Sequence, residues 1–179
     1  MSLNWQIDQS WTLFLDRDGV INERIMGGYV TTINQFKFKD LVLESMGELT
    51  SKFRHVFVVT NQQGVGLGKM SELQLNEIHE YMITEITKNG GVISKVYAAT
   101  ELKNIDSQIR KPHPKMGQMA LAEFEGIDFE KSIMVGDTDT DILFGKNLGM
   151  KTALILTEEK TSVQPDVVVK SLHELNSLL

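Results

Sequence analysis

The sequence predicts an α/β fold, a mainly parallel sheet with helices on both faces. Short, almost unbroken apolar runs alternate along the whole chain with stretches whose apolar residues recur at helical spacing. Capping residues or glycines bracket those helical stretches. Acids, Thr60 and Asn61 stand directly after apolar runs, at the carboxyl ends of the predicted strands, where sheets of this class bind their ligands.

The first apolar run, residues 11–15, is a strand that delivers Asp16-Arg17-Asp18-Gly19-Val20-Ile21-Asn22. Residues 22–30 contain Gly27-Gly28 and read as a loop or small hairpin. Asp40 is the expected N-cap of a helix whose buried stripe is Val42, Met46, Leu49 and Phe53. A second strand, residues 55–59, ends in Thr60-Asn61-Gln62, and Gln63-Gly64-Val65-Gly66-Leu67-Gly68-Lys69 follows. Ser71 and Gln74 form a capping box for the next helix. Its apolar side is Leu75, Ile78, Met82 and Ile86, and Asn89-Gly90-Gly91 stops it.

Residues 92–98 are a third strand, and residues 100–109 are polar and irregular. Arg110-Lys111-Pro112-His113-Pro114 leads into a helix that ends near Glu125, with Gly126 closing it. The fourth strand, residues 132–135, ends in Gly136-Asp137-Thr138-Asp139-Thr140-Asp141. A helix to Leu148-Gly149, a strand over 151–156, a short strand over 166–169 and a last helix capped by Ser171 complete the chain.

A length of 179 residues suits a single domain over 11–179, preceded by a loose N-terminal arm over 1–10. With 41% hydrophobic and 23% charged residues, the composition is that of a soluble globular protein. The net charge of −6 argues against nucleic acid or an anionic membrane as partner. No apolar run is long enough to span a bilayer, and no basic-then-apolar leader opens the chain. The lack of cysteine excludes disulfides and thiolate metal sites, and it fits a cytoplasmic location.

Asp16 and Asp18 stand one residue apart at a strand end and repel each other. A divalent cation is the usual reason to keep such a pair, and Mg²⁺ commonly takes one or two carboxylates plus phosphate and water. The bland alternative is a solvated turn. The placement of Thr60, Asn61, Asp137 and Asp141 at the same predicted rim weighs against it. Thr60 offers a hydroxyl and nearby amides to phosphoryl oxygens, and Lys111 offsets charge on carboxylate and phosphate alike. Phosphoryl transfer rests on such positioning and neutralisation. One carboxylate can serve as nucleophile and the other as general acid and base.

Other features read as structural. A Walker A loop needs glycine where Gln63 stands and Ser or Thr where Met70 stands, so the glycine-rich stretch reads as a substrate-side loop. His55, His79 and His173 form no ligand pattern, His113 positions its turn, and Asp139 is an N-cap or a supporting acid.

Four segments in order, Asp16 to Asn22, Thr60-Asn61-Gln62, Arg110-Lys111-Pro112 and Gly136-Asp137 to Asp141, resemble the motifs of the haloacid dehalogenase (HAD) superfamily. The likeness covers nearly the whole chain. With Gly28-Tyr29-Val30, Gly68-Lys69 and His113-Pro114 it is similar to the branch of histidinol phosphatases and D,D-heptose 1,7-bisphosphate phosphatases. The resemblance implies a Rossmann-like HAD fold with no inserted cap domain. It implies Mg²⁺-dependent hydrolysis of a small phosphorylated metabolite, foremost the 7-phosphate of D-glycero-D-manno-heptose 1,7-bisphosphate, with histidinol phosphate as the alternative.

By the same resemblance Asp16 is the nucleophile, Asp18 the general acid and base, and Thr60 and Lys111 hold the phosphoryl group. Mg²⁺ falls to Asp16, Asp137 and the backbone carbonyl of Asp18. Asn61 and Gln62 lie beside phosphate or sugar, Arg110 faces the substrate's other polar end, and Asp141 orients Lys111. The branch often carries a cysteine and histidine zinc loop before its Arg-Lys-Pro stretch; residues 98–109 here hold neither residue, so no structural zinc is expected. A monomer is expected. A receiver-type phospho-acceptor module is the reading from a different class, but receivers carry their acceptor after a later strand and lack the one-apart acid pair after the first.

Overall fold

In the computed structural model, which describes residues 3–103 and 108–179, six strands form one all-parallel sheet. They are β1 (Thr12–Leu15), β2 (His55–Asn61), β3 (Lys95–Ala99), β4 (Ser132–Gly136), β5 (Lys151–Ile155) and β6 (Val167–Val169), in the order β3-β2-β1-β4-β5-β6. The winding runs outward from β1 through β2 and β3, then restarts on the other side with β4. A crevice opens beyond the carboxyl ends of the strands where the direction reverses, between β1 and β4. Residues 12–15 pair with 55–58 on one side and with 132–135 on the other.

Five helices, α1 (Val42–Ser51), α2 (Glu72–Lys88), α3 (Lys115–Glu123), α4 (Asp139–Leu148) and α5 (Leu172–Leu178), cover the two faces. Strand alternation decides which side chain meets which layer. Leu13, Leu15, Val56, Val58, Ile133 and Val135 pack with Met46 and Leu49 of α1, Ile78 and Met82 of α2, and Leu172 and Leu175 of α5. Phe14, Phe57, Val59 and Met134 point the other way, onto Met116 and Ala120 of α3 and Phe144 of α4. The rings of Phe14 and Phe57 lie 5.2 Å apart. Burying a side chain of that size stabilises the fold by about 3 kcal/mol, and it anchors β1 directly beneath Asp16.

The capping box at Ser71 forms, with the Gln74 amide donating to Ser71 Oγ at 3.2 Å and the Ser71 amide to Gln74 Oε1 at 2.8 Å. Ser171 likewise accepts from the Glu174 amide at 3.1 Å. Asp40, however, does not cap α1. Leu41 precedes that helix at φ 60°, and the Val42 amide donates to Lys39 O, so a backbone turn replaces the expected side-chain cap. β3 starts at Lys95 rather than at residue 92, because its ladder with β2 begins at the pair Phe57–Lys95; Val92 stays exposed.

The N-terminal segment is not a loose arm over its described part. Leu3, Trp5 and Ile7 pack against the core, and the Leu3 amide donates to Leu178 O at 2.9 Å. Residues 1–2 of that arm, and 104–107 of the stretch 98–109, lie outside the described residues. Between β1 and α1 the chain makes only a short 3-10 turn (Ile33–Gln35) and two isolated bridges, Asp18–Asn22 and Asn22–Phe38, so no cap module is inserted there. No helix among the described residues is long and apolar enough to cross a membrane.

Candidate active site

Three neighbouring strand ends build the site. The Asp16 amide donates to Val135 O at 2.8 Å, so the β1–β4 ladder runs one residue past β1 and fixes where the Asp16 carboxylate stands. β2 ends in Thr60 and Asn61, and Asp137 follows β4 directly. Lys111 arrives from the loop before α3, through a cis peptide bond to Pro112. Asn61 anchors that loop by accepting from the Lys111 amide and donating to the Lys111 carbonyl. The buried ammonium of Lys111 then donates to Asp16 Oδ1 at 2.7 Å and Val59 O at 2.6 Å, and pairs with Asp141 Oδ1 at 2.6 Å. Burial works against that charge, but Asp141 and Asp16 hold the Lys111 pKa above its ordinary value.

Asp16, Asp137 and Asp141 each bring a carboxylate oxygen within 4.8 Å of the others. Asp141 is already committed. Its Oδ1 takes Lys111, and its Oδ2 accepts from the Thr138 amide at 3.0 Å and the Thr138 hydroxyl at 2.6 Å, closing the cap of α4. Gly136 permits this, because a Cβ there would stand 2.0 Å from Asp141 Cβ. Asp137 Oδ2 is different: it is buried and accepts no hydrogen bond. Gly19, at φ +92°, faces it so closely that a Cβ would fall 2.0 Å from that oxygen.

The remaining charge near Asp137 comes from Arg24, whose Nη2 donates to Asp137 Oδ1 at 2.7 Å and to Asp18 O at 3.1 Å. Burial raises the Asp137 carboxyl to about 7, reinforced by Asp16 and offset in part by Arg24. Burial likewise raises Asp16 to about 6 against the pull of Lys111. Two buried acids whose oxygens lie within 4.8 Å of each other, one of them with an oxygen that accepts no hydrogen bond, fit a small hard cation. Magnesium matches such oxygen donors.

The Asp18 carboxylate is held by a separate set of partners. Arg17 Nη2 donates to both its oxygens, at 3.0 and 2.9 Å, while Asn22 Nδ2 donates to Oδ1 at 2.9 Å and Gln62 Nε2 to Oδ2 at 2.8 Å. Burial pushes the Asp18 pKa up, but Arg17 and these hydrogen bonds outweigh it and hold the acid below its ordinary value. Gln62 also donates to Thr60 Oγ1 at 2.8 Å, tying the β2 end to Asp18. Arg17 is itself fixed, fully buried, by His79 Nε2 at 3.1 Å from its Nη1 and by the Phe36 ring, 5.9 Å from its guanidinium carbon. Burial first, and then Arg17, push the His79 imidazole down to about 3, so the ring is neutral and its Nε2 accepts.

Eight of the nine residues singled out from the sequence, Asp16, Asp18, Thr60, Asn61, Gln62, Arg110, Lys111 and Asp141, line one cavity of about 1040 Å³. Asp137 lies just behind it, joined to the lining through Arg24. The arrangement offers a carboxylate held by a lysine, a second carboxylate held by an arginine, and oxygen donors for a cation.

The HAD-hydrolase-like family matches residues 108–175. Over 148 residues the chain is 35% identical to the D-glycero-alpha-D-manno-heptose-1,7-bisphosphate 7-phosphatase of Campylobacter jejuni, covering 83% of each. Over 178 residues it is 35% identical to the D-glycero-beta-D-manno-heptose-1,7-bisphosphate 7-phosphatase of Pasteurella multocida, covering 93% of this chain and 95% of that one. The chain belongs to the haloacid dehalogenase superfamily. Within the superfamily it falls in the branch of the heptose-bisphosphate phosphatases, and it is a phosphoric monoester hydrolase. The fold agrees: the crystal structure of D,D-heptose 1,7-bisphosphate phosphatase from B. bronchiseptica, complexed with magnesium and phosphate, matches with a TM-score of 0.81 at 23% identity, covering 93% of this chain and 96% of that one.

Set against the HAD motifs, some side chains do other work than expected. The Asn61 amide is taken up by the Lys111 backbone, and Gln62 by Asp18 and Thr60, so both brace the site as well as lining it. The glycine-rich stretch is no substrate-side loop, since none of Gly64 to Lys69 lines the cavity. Gly66 is pressed against Thr100 O, where a Cβ would meet it at 2.6 Å. Asp139 opens α4 but spends its carboxylate on the Ser162 and Val163 amides. His113 accepts from the Lys115 amide at 3.3 Å, within its own turn. The sequence assigns no role to Arg17, Asn22 or Arg24, although Arg17 and Asn22 stand within the first motif, and it marks His79 only as structural.

Proposed function

We propose that this HAD phosphatase removes the 7-phosphate of D-glycero-D-manno-heptose 1,7-bisphosphate, with Mg²⁺ held by Asp16, Asp137 and the Asp18 backbone carbonyl. The observation that carries the reading is the pairing of Asp16 with Lys111 at 2.7 Å in a cavity large enough for a sugar bisphosphate, with the unpartnered Asp137 Oδ2 just behind its wall. The substrate follows the names of the relatives. Bound Mg²⁺ would supply positive charge to the carboxylates and to the phosphoryl oxygens.

An Asp16 carboxylate oxygen attacks phosphorus, and the bond from phosphorus to the sugar oxygen breaks. Lys111 fixes the Asp16 rotamer and offsets the charge gathering around it, and Thr60 lines the same cavity. Asp18 gives its proton to the departing alkoxide. It then takes a proton from the water that attacks the aspartyl-phosphate, and the cleaved bond returns the Asp16 carboxylate and releases inorganic phosphate. Arg17 keeps the resting Asp18 below the usual carboxylate range, so Asp18 acquires its proton only as the anionic phosphate approaches and raises its affinity for one.

Phosphate release from both anomers of the bisphosphate, from histidinol phosphate and from a sugar-phosphate panel, with and without Mg²⁺, tests this. Fast, Mg²⁺-dependent turnover of a heptose bisphosphate is expected, and Asp16→Asn abolishes it while the fold stays intact. Equal, slow turnover of every ester overturns the substrate. Retained turnover in Asp16→Asn overturns the covalent route, and a phosphoryl group trapped after one turnover points to a signalling module instead.

A further inference from the structure

The metal position assigned above is faced by a cation that belongs to the chain itself. Arg24 Nη2 lies 2.7 Å from Asp137 Oδ1, 3.1 Å from Asp18 O and 4.0 Å from Asp16 Oδ2. Those are oxygens of all three groups proposed to hold Mg²⁺. Arg24 sits at the end of no strand and in no helix. It enters from the loop after the acid pair, with its side chain 28% exposed and lining the cavity. Its Nη1 stands 3.8 Å from Glu159 Oε1, also in the cavity wall. A divalent ion needs its oxygens at about 2.1 Å, and it cannot share them with a guanidinium nitrogen already in their midst.

We propose that Arg24 holds the cation position in the metal-free chain, and that Mg²⁺ loads only as the guanidinium withdraws toward Glu159. This rests on the metal assignment of the preceding section. The gain for the empty protein is direct: two buried acids, Asp16 and Asp137, keep a positive partner when no ion is present. The consequence is competition. The apparent Mg²⁺ affinity is the intrinsic affinity multiplied by the fraction of chains in which Arg24 has left. Arg24 thereby sets the metal concentration at which the site fills, and Glu159 biases that setting by offering the displaced guanidinium a partner.

Calorimetric titration of Mg²⁺ into the full chain, alongside Arg24→Leu and Arg24→Lys, tests the proposal without any turnover. Arg24→Leu is expected to bind Mg²⁺ about tenfold more tightly. It should melt lower than wild type in EDTA and show the larger rise on adding Mg²⁺. Arg24→Lys, a shorter reach with the same charge, should fall between the two. A Leu variant that folds only in the presence of Mg²⁺ also supports the proposal, with the Lys variant then supplying the affinity. Equal or weaker Mg²⁺ binding in both variants, with clear binding by wild type, overturns the role of Arg24 alone. No binding by any of the three chains overturns the metal assignment itself, and this proposal with it.

Discussion

Asn61 grips the backbone of Lys111 from both sides, accepting from its amide at 3.0 Å and donating to its carbonyl at 3.2 Å. A residue at the tip of β2 thereby sets the height at which a distant loop delivers its ammonium to Asp16.

Asn61→Ala removes both hydrogen bonds while leaving Asp16, Asp18, Thr60 and Lys111 in the chain. We expect kcat to fall by about tenfold or more, since misplacement of a positioned group is costly, with stability lowered by about 2 kcal/mol. Steady-state kinetics and urea unfolding measure the two effects separately. Unchanged kcat would mean that the Lys111 loop holds its own position.

Gly19→Ala strikes at the Asp137 carboxylate. Its backbone lies at φ +92°, and the new methyl carbon would sit 2.0 Å from Asp137 Oδ2. The left-handed backbone alone costs an alanine about 1 kcal/mol, and the collision drives Asp137 out of place. Calorimetry should register loss of Mg²⁺ binding, and denaturation a less stable chain.

His79 makes stability depend on acidity. Its pKa is lowered from the ordinary 6.5 to about 3, so between those values the unfolded chain binds a proton that the folded chain refuses. Stability from this residue is therefore full above pH 6.5 and is lost as the pH falls. Relative to His79→Gln, wild type should lose about 2 kcal/mol of unfolding free energy between pH 6.5 and 5. Parallel urea curves at the two pH values measure that difference, and a constant gap would mean that the ring takes up a proton in the fold.

The carboxyls of Asp16 and Asp137 act with the opposite sign. Both are raised above the ordinary 3.8, to about 6 and about 7, so the folded chain binds more protons than the unfolded one in that range. Their contribution is full below pH 4 and disappears as the pH climbs through 7. In EDTA, wild type should lose more melting temperature between pH 5 and 8 than Asp137→Asn does. Thermal melts of the two chains at both pH values provide the check.

The acid pair, Thr60 and Asp137 were legible because the sheet class dictates where its strand ends meet, and Lys111, on a loop, was marked by the flanking Pro112 and Pro114 and by the HAD motif. A strand that stops at Leu15 must present Asp16 at the rim, and the register with β2 and β4 does the rest. Arg17 and His79 were not legible. Their contact joins the β1 loop to the buried side of α2, and helical spacing marks His79 only as one more residue of that helix. Arg24 lies in a loop with neither periodicity nor cap, so nothing local announces that it turns inward. Asp40 misled for a related reason: a good capping residue stood in place, but the chain took a left-handed turn at Leu41 and began the helix without it.

Arg24 and Asp137 are bonded across 113 residues of chain, and the strand that leads into Asp137 is the fourth of six. On a ribosome, the nucleophile's strand emerges first and waits with one edge bare until β4 has been synthesised. A truncated product that ends before residue 132 carries both motif acids yet holds neither the free oxygen nor the wall beside it. Competence therefore waits on β4, and a fragment released before it lacks Asp137 and Asp141 altogether.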